Sequence, residues 1–477
     1  MTLTLRELSK IAHVGIRNQD ALRRKKITGV STDSRSIAAG NLFIALKGPN
    51  FDGHKFLGDV FRKGALAAIV EQSAGIAVDT SIPLIVVEDT TKALGELAGV
   101  YRKRFKIPVL AVAGSNGKTT TKEMISQVLR SKFNVLSTEG NLNNHIGVPQ
   151  TLLQLRKKHD IAVVEIGTNH PGEIRYLCDI LKPTHGLITN IGSEHLEFFK
   201  SIEGVAEEEG ELFESLQRDK KGVAFINADD ARVVERASKI RKHVRYGIVA
   251  RKADVKGKIL AMQDAASVRF QFSGKGVKKP VKLRIGIAGV HNATNALAAV
   301  AVGLAFKVTP KQISSALETF MPASKRMEVE DVGGVLVFND TYNANPDSMI
   351  AALQTLSSAN VTGKKIAVLA DMLELGERAE EEHARVGGEA ARLGIEYVLT
   401  FGRLAKRIHS SAKGSITLHY DQKNMLAEYL AELVAPGDAV LVKGSRGMRM
   451  EDVVTFLKER LQPPTSGPGQ SKDMRSS

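Results

Sequence analysis

The sequence predicts an α/β protein of three domains: a small mixed α/β unit, a central unit on a parallel sheet, and a C-terminal doubly wound unit. Three observations carry that prediction. Between Val109 and Thr120 an apolar strand-type run breaks into a glycine-bracketed loop, and Met124, Ile125, Val128 and Leu129 then recur at helical spacing. Downstream, apolar runs at Ile161–Gly167 and Gly186–Ile191 alternate with helical stretches. A second series of strands, Val335–Asn339, Lys365–Leu369, Tyr397–Phe401 and Ala439–Val442, repeats the alternation near the C-terminus.

Composition narrows the class. At about 100–200 residues per domain, 477 residues allow two to four domains. Hydrophobic residues at 43% and charged residues at 25% are ordinary for globular protein. The single cysteine, Cys178, excludes an internal disulfide framework and reads as a small core residue. The N-terminus carries Arg6 and Glu7 too early for a secretory leader. The longest nearly uncharged apolar stretch, Ala296–Phe306, is short of the roughly 18 residues a membrane span needs. A cytoplasmic protein with no integral membrane association is therefore expected. The balance of 67 Lys+Arg against 52 Asp+Glu raises nucleic acid as a partner. However, the basic runs Arg23–Lys26 and Arg102–Arg104 are not interleaved with aromatic residues that could stack on bases. No nucleic-acid partner is expected, and affinity for small polyanions explains the charge equally well.

In chain order, residues 1–106 form the first domain. Gly29–Arg35 is a polar turn after a short strand, Leu42–Leu46 is a strand, and Asp52-Gly53-His54 is a loop; each is compatible with a solvated turn. The central domain covers 107–322 and opens at Ile107-Pro108. Gly114-Ser115-Asn116-Gly117-Lys118-Thr119-Thr120 is a phosphate loop, which makes this domain P-loop ATPase-like. Its glycines let backbone N–H groups point inward, the helix start adds positive potential, and Lys118 supplies a cation. Thr119 offers a hydroxyl to a magnesium ion carried by the nucleotide. The loop is a shortened variant, because the usual spacing asks for glycine where Val112 stands.

Glu165 ends a buried strand beside the loop strand, well placed for that magnesium. His195 follows the next strand. Alternation at Val268, Phe270 and Phe272 predicts a small antiparallel appendage between 252 and 285. Asn292 and Asn295 precede an apolar helix at 296–306, where helix capping accounts for them. The third domain, 323–461, is Rossmann-like. Its polar clusters Asp340–Pro346, Asp371–Gly376 and Lys443–Gly447 follow successive strands and mark one binding edge. The Pro/Gly/Ser-rich tail, 462–477, reads as disordered.

Taken together, Gly114–Thr120, Glu165-Ile166-Gly167 and Asn190–Leu196 resemble the ATP-dependent Mur ligases. Asp340–Met349 and Asp371–Gly376 resemble most the branch that adds D-alanyl-D-alanine, while Ser31–Arg35 and Asp52–His54 resemble its nucleotide-sugar domain. The resemblance covers about residues 25 to 455. It implies an amide ligase that uses ATP and Mg2+, with UDP-N-acetylmuramoyl-tripeptide and D-alanyl-D-alanine as small-molecule substrates. That reaction is the last cytoplasmic step of peptidoglycan precursor synthesis, carried out by a monomer. It implies phosphate contacts at Gly114, Ser115, Asn116, Gly117, Lys118, Thr119 and Thr120, and magnesium ligation by Thr119, Glu165 and His195. Arg326 would approach the γ-phosphate, Asn292 and Asn295 would face adenine, and Asp340 the ribose. Ser34 and Arg35 would contact the UDP-sugar. Tyr342 and Asn345, with Lys443 and Arg446, would lie towards the dipeptide.

One departure stands out. The family commonly carries a carbamylated lysine after the metal-binding histidine, and Val205–Phe213 holds no lysine. Spacing from Leu212-Phe213 points to Glu209, which would supply a carboxylate directly; an exposed acidic helix face is the plainer reading of the same residues. Two other assignments stand beside the first. One is a sister Mur ligase or a folylpolyglutamate-synthetase-like ligase, against which Asp340–Pro346 argues. The other is a nucleotide-binding switch protein that ligates nothing.

Overall fold

The structure, a computed structural model, describes residues 2–23, 25–75, 82–260, 266–321 and 325–461. The tail 462–477 lies outside the described residues, as does 322–324, where the sequence puts the start of the third domain. Three large sheets follow one another along the chain.

In the first sheet the strand order is Gly15–Arg17, Leu84–Val87, Ala67–Glu71, Asn41–Ile44, Gly29–Ser31, all parallel except the first. The helix Thr90–Arg102 starts at Asp89, whose side chain accepts the N–H groups of Thr91 and Lys92. It fastens this unit to the next: Tyr101 Oη donates to Leu155 O at 2.8 Å and Arg102 Nε to Leu181 O at 3.1 Å. Cys178 is buried in the helix Glu173–Leu181, and burial pushes its thiol up to about 12, so it packs as a small apolar group.

The central sheet has nine strands. From edge to edge they are Val281–Ile285, Val268–Gly274, Val255–Ile259, Lys242–Gly247, Val223–Asn227, His185–Ile188, Val109–Ala113, Ile161–Glu165 and Val135–Ser137. The predicted antiparallel segment is real but is no separate appendage. Val255–Ile259 pairs in parallel with Lys242–Gly247, so the hairpin continues the main sheet. Its alternation has a plain cause. Val268, Phe270, Phe272, Leu283 and Ile285 are buried in one core with the helix His291–Ala305, while Lys256, Lys258, Arg269, Lys282 and Arg284 face outward. That helix begins five residues before the apolar run predicts, which puts Asn292 and Asn295 inside its first turns rather than at a cap. Met124, Ile125, Val128 and Leu129 of the helix Lys118–Arg130 are fully buried, worth about 2 kcal/mol each.

The C-terminal sheet runs Glu328–Val332, Val335–Asp340, Ala439–Lys443, Lys365–Ala370, Tyr397–Phe401, Ile416–Tyr420, parallel except for the first strand. In both large sheets the parallel strands deliver their C-terminal ends to one edge. These two edges face each other across a cavity of about 1410 Å³.

Candidate active site

The phosphate loop joins the strand Val109–Ala113 to the helix Lys118–Arg130. Gly114 has φ +113°, and a Cβ there would sit 2.3 Å from Thr189 Oγ1 and 2.7 Å from Thr189 N, so only glycine fits. Gly117, at φ +76°, starts the helix. Three of the loop's N–H groups are already engaged. Gly114 donates to Glu209 Oε2 at 2.7 Å, Ser115 to Asn190 O at 2.9 Å, and Asn116 to Asn190 Oδ1 at 3.1 Å. Gly114 does not line the cavity, although the sequence counts it among the phosphate contacts. The available cradle is the helix start, because the first intrahelical bond is donated only by Thr121, to Gly117 O at 2.8 Å.

Around Lys118 the site holds an excess of acid. Lys118 Nζ lies 3.2 Å from Glu194 Oε2. Burial alone would pull its pKa down, but Glu194, Glu209 and Glu165 hold it above the ordinary lysine value. Thr119 Oγ1 and Asn143 Nδ2 both donate to Glu165 Oε1, at 3.1 and 2.8 Å. Burial, and next the neighbouring Glu194, push Glu209 up to about 8 against the pull of Lys118. Three buried carboxylate oxygens, Glu165 Oε2, Glu194 Oε1 and Glu209 Oε1, have no hydrogen-bond partner among the described residues. Orphaned acceptors facing a single lysine suit a divalent cation.

The residues predicted to hold that cation are nevertheless not gathered into one coordination sphere. Among the described residues no three His, Cys, Asp or Glu side chains are placed to hold a metal. Thr119 and Glu165 touch. His195 is drawn instead to Glu374 Oε2, 2.6 Å from its Nδ1, and Glu209 spends one oxygen on Gly114. The exposed-helix-face reading of Glu209 is wrong, since its side chain is fully buried.

The C-terminal domain completes the cavity. Asn345 Nδ2 donates to Asn116 Oδ1 at 2.9 Å, and Asp347 Oδ2 accepts the Ser193 N–H at 2.7 Å. Arg326 stacks on the Tyr342 ring at 3.8 Å, with Arg446 at 5.8 Å from the same ring. Asp340 and Lys443, assigned by the resemblance to different substrates, form one pair at 2.5 Å; Met327 N donates to the other Asp340 oxygen. Asn292 and Asn295 line the cavity and bond to one another at 2.9 Å.

Ser34 and Arg35 do not line this cavity. Arg35 points to solvent and forks onto Asp33, holding that carboxyl down at about 2. The turn still reaches the site indirectly: Gln150 Nε2 donates to Thr32 Oγ1 at 2.8 Å, and the loop before its helix, Asn141 to His145, lines the cavity. Reasoning from the sequence missed Glu194 and Glu374, although each lies inside a polar cluster at a strand end, and Asp347, which directly follows one. It also missed Asn143 and Arg385, for which no local pattern exists.

Comparison with known proteins agrees with this geometry. Models of the Mur ligase family catalytic domain, the Mur ligase middle domain and the Mur ligase glutamate ligase domain match residues 26–102, 112–303 and 325–446. The UDP-N-acetylmuramoyl-tripeptide–D-alanyl-D-alanine ligase of Escherichia coli K12 is 36% identical over 464 residues, covering 96% of this chain and 99% of that protein. The Bacillus subtilis 168 protein of the same name is also 36% identical, over 91% of this chain and 93% of its own. A crystal structure of MurF from Acinetobacter baumannii superposes with TM-score 0.87 at 34% identity, covering 96% of this chain and 99% of that one. MurF from Thermotoga maritima in complex with ADP gives 0.81 at 29% identity, covering 91% and 98%.

Proposed function

This chain belongs to the Mur ligase family, and on that premise we propose that it joins D-alanyl-D-alanine to UDP-N-acetylmuramoyl-tripeptide at the expense of ATP. The observation that carries the reading is the contact of Asn345, in the Asp340–Met349 stretch, with Asn116 of the phosphate loop. It brings the stretch we assign to the dipeptide against the phosphate loop, which supports the reading.

A carboxylate is a poor acyl donor until one oxygen becomes a leaving group, and two anions must meet at the γ-phosphate. The tripeptide carboxylate attacks the γ-phosphorus, ADP leaves, and an acyl phosphate forms. The dipeptide amine then adds to the acyl carbon and inorganic phosphate departs, leaving an amide. Lys118 and the helix start at Gly117–Thr120 hold the phosphates, and Arg326 offsets charge at the γ-position. Asn292 and Asn295 face adenine, with the Asp340–Lys443 pair beside the ribose. Tyr342, Asn345 and Arg446 hold the dipeptide, and Ser34 and Arg35 bind the UDP-sugar. Thr119, Glu165, His195 and Glu209 would hold Mg2+, which when bound offsets charge on the phosphates. Glu209 would supply the carboxylate that a carbamylated lysine provides elsewhere in the family. The domains act as 1–106 for UDP-sugar, 107–322 for ATP and 323–461 for ligation, in a cytoplasmic monomer.

The test measures phosphate release from ATP with UDP-muramoyl tripeptide and magnesium, with and without D-alanyl-D-alanine. Release that needs both substrates, with a UDP-linked pentapeptide by mass, is the expected result. Release indifferent to either would overturn the assignment.

A further inference from the structure

We propose that Asp347 is a positioning residue that couples docking of the C-terminal domain to the loop carrying Glu194 and His195. The inference rests on the ligase reading and extends it to residues that reading leaves unused. Asp347 is the second residue of the helix Pro346–Ser357, whose start is fixed by the Asn345 side chain accepting the Ser348 N–H. One carboxylate oxygen, Oδ2, accepts the Ser193 N–H at 2.7 Å, across the domain junction. The other, Oδ1, accepts from Arg385 Nη2 at 3.0 Å, and Arg385 Nη1 is held by Glu382 Oε2 at 2.8 Å. The approach is so close that a Cβ on Gly192 would lie 2.4 Å from Asp347 Oδ2.

The loop on the receiving side is tied to the phosphate cradle. Gly192 N donates to Ser115 Oγ at 2.9 Å, one residue before the Ser193 N–H that Asp347 takes. The next two residues are Glu194, against Lys118, and His195, against Glu374 of the C-terminal domain. Glu374 also accepts the Glu197 N–H through its carbonyl, at 3.1 Å. Ser193 thus sits between two anchors, Ser115 from its own domain and Asp347 from the other. When the C-terminal domain docks, the carboxylate fixes a backbone amide beside Glu194 and His195, which line the cavity. Arg385 fixes the carboxylate in turn. Small errors in such positioning cost rate out of proportion to their size.

The test compares Asp347→Ala, Asp347→Asn, Arg385→Ala and the double alanine variant with the full-length wild type. For Asp347→Ala, kcat for pentapeptide formation should fall roughly 10- to 100-fold, because positioning rather than binding is lost. Its affinity for ADP and its unfolding midpoint should stay close to wild type. Asp347→Asn keeps an acceptor for Ser193 and should recover most of the rate. Since Arg385 acts through Asp347, the double variant should be no slower than Asp347→Ala. Amide hydrogen exchange in the segment 190–197 should quicken in Asp347→Ala. A rate near wild type in Asp347→Ala, additive losses in the double variant, or a loss matched by weaker ADP binding would each overturn the proposal. The exchange and ADP measurements need no ligase chemistry, so they judge the positioning role even if the wild type makes no pentapeptide.

Discussion

The two ends of the central sheet are made of the same strands and are finished in opposite ways. At the N-terminal end, polar groups close on one another. Val109 N donates to Thr184 Oγ1 at 2.9 Å, Thr184 N donates back to Val109 O at 2.9 Å, and Asn134 donates twice to Asp160 Oδ2. At the C-terminal end, Glu165, Ser193, Glu194 and Glu209 each keep a buried oxygen with no partner among the described residues. A buried acceptor left open costs on the order of 1–3 kcal/mol, so folding alone gives no reason for four of them together. The N-terminal end spends its polar groups on stability; the C-terminal end holds them for a ligand.

The comparison is broken most directly at Lys118. Lys118→Ala should cut phosphate release by a factor of about 1,000 or more, since the cation facing Glu194, Glu209 and Glu165 would be gone. A loss of only a few-fold would mean that the open end is not where charge is offset. Glu209→Gln comes next, with an expected loss of roughly 10- to 100-fold in kcat. Added bicarbonate at fixed pH should leave the wild-type rate unchanged, because Glu209 already bears a carboxyl. Strong bicarbonate dependence would count against its standing in for a carbamate.

How far the two ends could be read from the sequence follows from the same contrast. The phosphate loop was legible because strand, glycines and helix are consecutive, and Met124 to Leu129 bury as their spacing predicts. Glu165 was legible because a carboxylate at the end of a strand of otherwise apolar residues has few structural uses. Asp347 and Arg385 were not, because their meaning depends on Ser193, which lies 154 residues from Asp347 in the chain. The start of the helix His291–Ala305 is hidden because Asn292 and Asn295 break the apolar pattern; Asn292 bonds back to Ala288 O and Asn295 to Asn292. The strand Ile416–Tyr420 carries little sequence signal because an edge strand is half-exposed and alternates weakly. Arg35, whose motif marks it for the UDP-sugar, is paired with Asp33 in this structure.

At the closed end the expected effects are on stability. Thr184→Val removes the acceptor for Val109 N and should cost about 1–2 kcal/mol in denaturant unfolding. Its kcat should stay within about two-fold of wild type, because the group lies at the far end of the strands from the phosphates. A loss of rate without a loss of stability would erase the distinction between the two ends.

The smallest expected effect concerns His185, beside Thr184. Its ring lies 5.0 Å from Phe306 and 6.3 Å from Phe225, centre to centre, and burial pushes its pKa down from 6.5 to about 4. The sign follows from proton counting. Between pH 6.5 and about 4 the unfolded chain binds a proton at this histidine and the folded chain does not, so stability falls as pH falls through that window. Above pH 6.5 both states are neutral there and the full contribution is present. His185→Gln removes the titration, so its unfolding free energy should fall less than that of wild type between pH 7 and 4.5, by on the order of 1 kcal/mol. Equal slopes would show that His185 is solvated despite the two rings. A flatter slope with unchanged kcat at neutral pH would show that this end of the sheet holds even its ionisable group for packing.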